Sequence, residues 1–274
     1  MKKIKKLLFF VIPAILIIGI VVFCFVLVNL TPRSTIKVKG VGMSSVDDVI
    51  EYLDFVQLED EFSYKFNYKY KENYKTPDEK FSQTITLKGS IFYEEDEVTS
   101  FSYKGKNKQV EEESAGAGIE KETVNMQENG IFLTGNEEDG FFIDQKNKMQ
   151  VKSVSVNTTS TYATKTVDEQ QALFSEELIK VEYNYLKNTI YSMAQVGECY
   201  KDGDTLYVIC SEESYQNTVE VVCKYGKIKE ITIEFLTATS KEIITISVGE
   251  AKEVNEPKDK DEYEGYGENE SEEF

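Results

Sequence analysis

The chain has 274 residues, 31 basic and 49 acidic side chains, a formal charge of −18, and 41% of its residues in the hydrophobic set. It has no histidine and no tryptophan, so it lacks the commonest general base and the commonest zinc ligand, which weighs against hydrolase and metalloenzyme chemistry. So acidic a body repels phosphate backbones and anionic headgroups, which argues against nucleic acid as a partner.

The chain opens MKKIKKLLFFVIPAILIIGIVVFCFVLVNL. From Leu7 to Val28 no residue is charged or strongly polar. At about 1.5 Å per residue this run spans about 30 Å of hydrocarbon, so residues 1–30 read as a lysine cluster and one transmembrane helix. Lys2, Lys3, Lys5 and Lys6 hold the N-terminus in the cytoplasm and place the rest on the extracytoplasmic side of the cell membrane. A cleaved signal would have a shorter apolar run and a small-x-small site. Cys24 follows Phe23, which does not fit a lipidated cysteine. Beyond the four lysines stand 27 basic and 49 acidic residues, a charge of −22.

Residues 31–43 read as an extended juxtamembrane linker. The exported domain is expected over 44–250. It starts with SSVDDVIEYLDFV, where Ser44 or Ser45 caps a helix with Val46, Val49, Ile50 and Leu53 on one face. At Phe62 the period changes to two. FSYKFNYKY sets Phe62, Tyr64, Phe66, Tyr68 and Tyr70 on one face of a strand. After a turn at Thr76-Pro77-Asp78 comes a second strand with Ile85, Leu87, Ile91 and Tyr93 in phase. VTSFSYKGK gives a third, in an antiparallel meander.

KQVEEESAGAGIEKE is acidic and glycine-rich and reads as a surface loop. Two short strands, GIFLT and GFFID, follow around a turn at Glu137-Glu138-Asp139. Residues 152–166 are rich in Ser and Thr and read as a strand feeding a loop, or as a linker. One or two helices come next, with Leu173, Leu178, Val181, Tyr185 and Leu186 on a shared face. The rest is β again: hairpins turning at Asp202-Gly203 and Tyr225-Gly226, then KEIITISVG. From 251 to 274 the pattern is that of an acidic disordered tail. Its Asp259 and Asp261 suggest a calcium loop, but the glycine falls at loop position seven rather than six.

Cys199, Cys210 and Cys223 lie in the exported part. An odd number leaves at least one unpaired within the chain; a disulfide and three buried thiols both fit the spacing. Residue usage rich in Lys, Ile, Asn and Tyr points to a low-GC, Gram-positive bacterium.

The order of helix, meander, helical insertion and meander resembles the LolA/LppX family of exported lipoprotein carriers and lipid-binding lipoproteins. The cues are SSVDDVIEYL, LKGSIFY, ENGIFLTGNEEDGFFID and YGKIKEITIEF, over about 44–248. The resemblance implies an α+β fold in which one curved antiparallel sheet forms a half-barrel with helices on its concave face. Carriers of the family are soluble or held by a lipidated cysteine, whereas this chain has a helix anchor. No ligand-contacting residue of the family maps onto a position here.

Three functions are weighed. The first is a membrane-anchored extracytoplasmic binding module for a lipid or other hydrophobic ligand, with Phe62, Tyr64, Phe66, Tyr68 and Tyr70 as its ligand-binding face. The bland reading is that these rings pack an ordinary core. The second is a cell-surface interaction or sensor domain that binds another protein and no small ligand. The third is an enzyme using Asp202 and Asp204, or Glu137, Glu138 and Asp139. Carboxylates in turns are far more often turn formers, and no nucleophile elbow, P-loop or dinucleotide fingerprint occurs. The expectation is a non-enzyme with no cofactor and no metal.

Overall fold

The computed structural model describes residues 34–43, 61–94, 97–115, 118–134, 140–144, 149–154, 174–225, 227–249 and 264–265. The apolar run Leu7–Val28 and the helix expected after Ser44 lie outside them. Among the described residues no helix is long and apolar enough to cross a membrane.

In chain order the elements are β1 (Val41–Gly42), β2 (Glu61–Lys75), β3 (Glu79–Glu94), β4 (Glu97–Ala115), β5 (Gly118–Thr134), β6 (Gly140–Asp144) and β7 (Met149–Val154). Two helices follow, α1 (Ser175–Lys180) and α2 (Tyr183–Val196). Then come β8 (Glu198–Asp202), β9 (Thr205–Ser211), β10 (Tyr215–Lys224), β11 (Lys227–Thr237), β12 (Ser240–Val248) and β13 (Glu264–Gly265).

Among the described residues all strands join one open sheet, ordered β1-β8-β9-β10-β11-β12-β2-β3-β4-β5-β6-β7-β13. Two meanders are joined where β12 pairs with β2, so the last long strand sits beside the first. Among the described residues every pairing is antiparallel except β13 on β7, where Glu264 and Gly265 of the acidic tail pair with Met149 and Gln150.

One face of the sheet is apolar because the period-two pattern repeats in register across it. A single row runs Leu206, Val221, Ile231, Ile246, Phe66, Gly89, Tyr103 and Gly130 over eight strands. The helices lie on this face. Leu178, Val181, Tyr183, Leu186, Ile190 and Met193 are buried with it in one core.

The helical face departs from expectation at Tyr185, which is exposed. The chain bends at Val181 and Glu182, where two backbone bonds reach back only three residues, to Leu178 and Ile179. That bend resets the helical phase, so Tyr183, Leu186 and Ile190 face the sheet instead.

The expected surface loop at KQVEEESAGAGIEKE is a strand hairpin. β4 runs to Ala115 and β5 starts at Gly118. Alternating charges pair across it: Glu112 stands between Lys80 and Lys121, at 3.2 and 2.9 Å. Both faces are polar there, so no apolar alternation marks the strands in the sequence. The tight turns occur where expected. Gly203 has φ 58° at the first loop position of the β8–β9 hairpin, and Tyr225 has φ 56° in the β10–β11 hairpin.

Residues 34–43, read from sequence as linker, run extended against the sheet. Val41 and Gly42 pair with Lys201 and Tyr200 on its edge. The Met43 amide donates to the Cys199 carbonyl at 2.8 Å.

Candidate functional site

The candidate binding face is the aromatic stripe of β2. The pleat turns Phe62, Tyr64, Phe66, Tyr68 and Tyr70 to the helix side, as the alternation requires. The structure gathers all five. The first four are buried and Tyr70 packs half-buried beside them.

What covers the stripe is the protein itself. Phe62 meets Tyr183 edge-on at 5.2 Å and Tyr93 at 5.7 Å between ring centres. The Tyr64 hydroxyl donates to the Val181 carbonyl at 2.8 Å. Its single proton is then used, so at 3.2 Å the Tyr93 hydroxyl donates to Tyr64. The Tyr183 amide in turn donates to Tyr93 at 3.4 Å. This relay ties two strands to the bend between the helices. Burial pushes the Tyr93 phenol upward and outweighs the bond it receives from the Tyr183 amide, which pulls the other way; the net direction is up.

Phe66 and Tyr103 lie over glycines. A Cβ on Gly130 would stand 2.2 Å from the Tyr103 ring, and one on Gly105 would stand 2.4 Å from the ring of Phe174, just before α1. Only glycine lets these rings lie flat on the sheet. Beside them Tyr103 donates to the buried carboxylate of Glu128 at 2.6 Å. In the sequence Gly105, Gly130 and Glu128 read only as parts of strands and cues, and neither they nor Phe174 are given a place in the site. The signal was a glycine inside a strand, which marks close approach.

Beyond the buried Tyr68 the stripe runs out from under the helices at Tyr70. Polar groups gather there. Lys180 pairs with Glu242 at 2.9 Å and lies 5.8 Å from the Tyr68 ring centre. Burial, then the charge of Glu242, pushes the Tyr68 phenol up. Burial, then the bond to Glu72, pushes Tyr70 up to about 12. Burial likewise raises the Glu177 carboxyl. Beyond this rim the same sheet face continues half-exposed with Tyr74 and Phe81, whose rings stack at 5.1 Å.

Strand length explains the transition. β4 has 19 residues and so extends about 60 Å. With 14 residues, α2 extends about 20 Å. Among the described residues, the helices therefore cover only part of the long strands.

Asp202 and Asp204 flank Gly203 in an exposed hairpin turn, and three strands separate β9 from the stripe on β2. Glu137, Glu138 and Asp139 lie outside the described residues. Cys199, Cys210 and Cys223 are buried free thiols. The Cys210 thiol donates to the Met193 carbonyl at 3.1 Å, and burial raises its pKa.

No family model and no curated protein matches the chain. Among solved structures it is similar to an outer membrane lipoprotein-sorting protein domain from Vibrio parahaemolyticus, at 8% identity and a TM-score of 0.20, over 79% of this chain and 96% of that one. A TM-score that low places the chain in no family, so its function has to be read from its own residues.

Proposed function

We propose that the chain is a membrane-anchored extracytoplasmic binding module whose ligand is a lipid or another hydrophobic molecule. Residues 7–28 are its anchor, with the N-terminus in the cytoplasm, and no catalysis is assigned to it. The observation that carries the reading is the continuity of the aromatic face. It is buried under α1 and α2 from Phe62 to Tyr68, then half-exposed at Tyr70, Tyr74 and Phe81. A hydrocarbon chain on these rings would extend the apolar core outward, with Lys180 and Glu242 beside its polar end. The tyrosine hydroxyls suit such a boundary, having an apolar body and a polar tip.

Competition between a fluorescent fatty-acid probe and unlabelled lipids tests the site. The exported part should bind the probe, and Tyr70→Ala with Phe81→Ala should weaken binding while the core stays folded. Binding unaffected by both changes would contradict this site.

One observation favours the second reading, a cell-surface interaction domain without a small ligand. Phe62, Tyr64, Phe66 and Tyr68 are already buried in the protein's own core, so the deeper part of the stripe serves as core.

A further inference from the structure

The face of the sheet opposite the helices carries a charge that the overall composition hides. On β2, β3 and β4 the register sets three adjacent rows: Asn67, Lys88, Lys104; Lys69, Thr86, Lys106; and Lys71, Thr84, Lys108. All six lysines are exposed. On β5 the same rows end in Asn129, Gln127 and Asn125. No acid stands on these rows of the four strands. Neighbouring strands lie about 4.8 Å apart, so the lysines form a lattice roughly 10 Å wide and 14 Å long. Lys88 and Lys104 face each other directly, an arrangement that works against folding. Acids of this face stand apart from the lattice: Glu220, Glu230 and Glu234 on β10 and β11, Glu198 and Asp202 on β8, and Glu112 on β4, two rows beyond Lys108 and held between Lys80 and Lys121.

A second observation fixes where this face lies relative to the N-terminal segment. The Ser34 hydroxyl donates to the Glu234 carboxylate at 2.7 Å, and the Thr35 amide donates to it at 2.8 Å. The Thr35 hydroxyl donates to its other oxygen. Ser34 also donates its amide to Gln216 at 3.2 Å, and Lys241 stands 3.5 Å from Glu234. Glu234 belongs to the row that continues through Ile243 to Lys69 and Lys106. Ser34 is thus docked on the lysine-bearing face, about 10 Å from Lys69 by strand spacing.

Only five residues separate Val28, the end of the apolar run, from Ser34. Whatever their path, that stretch reaches at most about 20 Å. Salt screens the acidic remainder of the domain beyond about 8–10 Å, so the local sign governs a contact at that range.

We propose that the lysine face of β2–β4 docks on the anionic headgroups of the membrane in which the chain is anchored. This rests on the anchor reading of residues 7–28. The clamp at Glu234 holds the face beside the tether, and the lysines orient it on the lipid. The helix side, with its emerging aromatic face, then points away from that surface.

Amine acetylation of the full chain in lipid nanodiscs, read by mass spectrometry, tests this. In discs of phosphatidylcholine with phosphatidylglycerol, Lys69, Lys71, Lys88, Lys104, Lys106 and Lys108 should label several-fold more slowly than in pure phosphatidylcholine. Lys201, in register with Leu206 of the helix-side row, serves as the internal reference and should not change. High salt should abolish the difference. In the variant K69Q/K106Q the remaining four should lose protection, since each lysine near an anionic surface strengthens binding roughly fivefold. Equal labelling in both kinds of disc overturns the proposal and leaves the anchor standing. A chain that does not enter discs at all overturns the anchor and the docking with it. Protection by an added oligonucleotide, with none from phosphatidylglycerol, assigns the face to a soluble polyanion and also overturns it.

Discussion

The hydroxyl of Tyr64 donates to the backbone carbonyl of Val181 at 2.8 Å, so the strand that bears the aromatic stripe is bonded to the bend between the two helices. Both groups are buried. Tyr64→Phe leaves the carbonyl unpaired and removes the acceptor of Tyr93. Loss of a buried partner costs about 1–3 kcal/mol. The free energy of unfolding should fall by that amount, read as a lower urea midpoint with an unchanged slope. An unaltered midpoint would show that the relay contributes nothing.

Gly105 and Phe174 form a second link between sheet and helix. Gly105→Ala places a methyl group 2.4 Å from the Phe174 ring, so the ring must move. Overpacking of this kind costs about 1–3 kcal/mol. In a Phe174→Leu background the same change should cost much less. A double-mutant cycle reads the coupling directly, and simple additivity would contradict the contact.

Glu234 gives a pH dependence of definite sign. Burial pushes its carboxyl up, but the bonds from Thr35 and Ser34 and the charge of Lys241 outweigh that and hold it below the ordinary carboxylate value. A carboxyl with a depressed folded pKa adds stability above its unfolded pKa and loses it as pH falls through the folded one. Glu234→Gln should therefore lower the urea midpoint most near neutral pH, and the gap from wild type should close below about pH 4. A gap that stays constant down to about pH 2 would refute the assignment.

Lys88 and Lys104 oppose each other across β3 and β4. Lys88→Glu turns a repulsion into an attraction and should stabilise the fold by about 0.2–1 kcal/mol. The same change should weaken docking on anionic lipid. A destabilised variant would mean that the lysine face serves the fold rather than the surface.

How much of the fold was legible in the sequence depends on periodicity. The stripe from Phe62 to Tyr70 could be read because apolar and polar residues alternate without a break. The hairpin turns could be read because Gly203 and the Tyr225-Gly226 pair carry turn chemistry. The β4–β5 hairpin was hidden, because strands with two polar faces show no hydrophobic period; only the pairing of Lys80, Glu112 and Lys121 reveals them. Tyr185 was misplaced because a bend at Val181–Glu182 shifts the helical phase, and no proline or glycine marks it. The lysine lattice was invisible to net charge, since it arises only when β2, β3 and β4 are set in register. Whether rings on a strand face line a core or a ligand groove depends on what lies over them, and Phe174 and Tyr183 are far from β2 in sequence.

Native mass spectrometry of residues 31–250, purified without detergent and followed by lipid extraction, tests the binding reading most directly. A binding module should show a stoichiometric co-purifying lipid, or uptake of added lipid, that is lost in Tyr70→Ala with Phe81→Ala. A clean apo mass with no uptake of lipid or fatty acid would contradict it and leave a tethered protein-interaction domain as the better description.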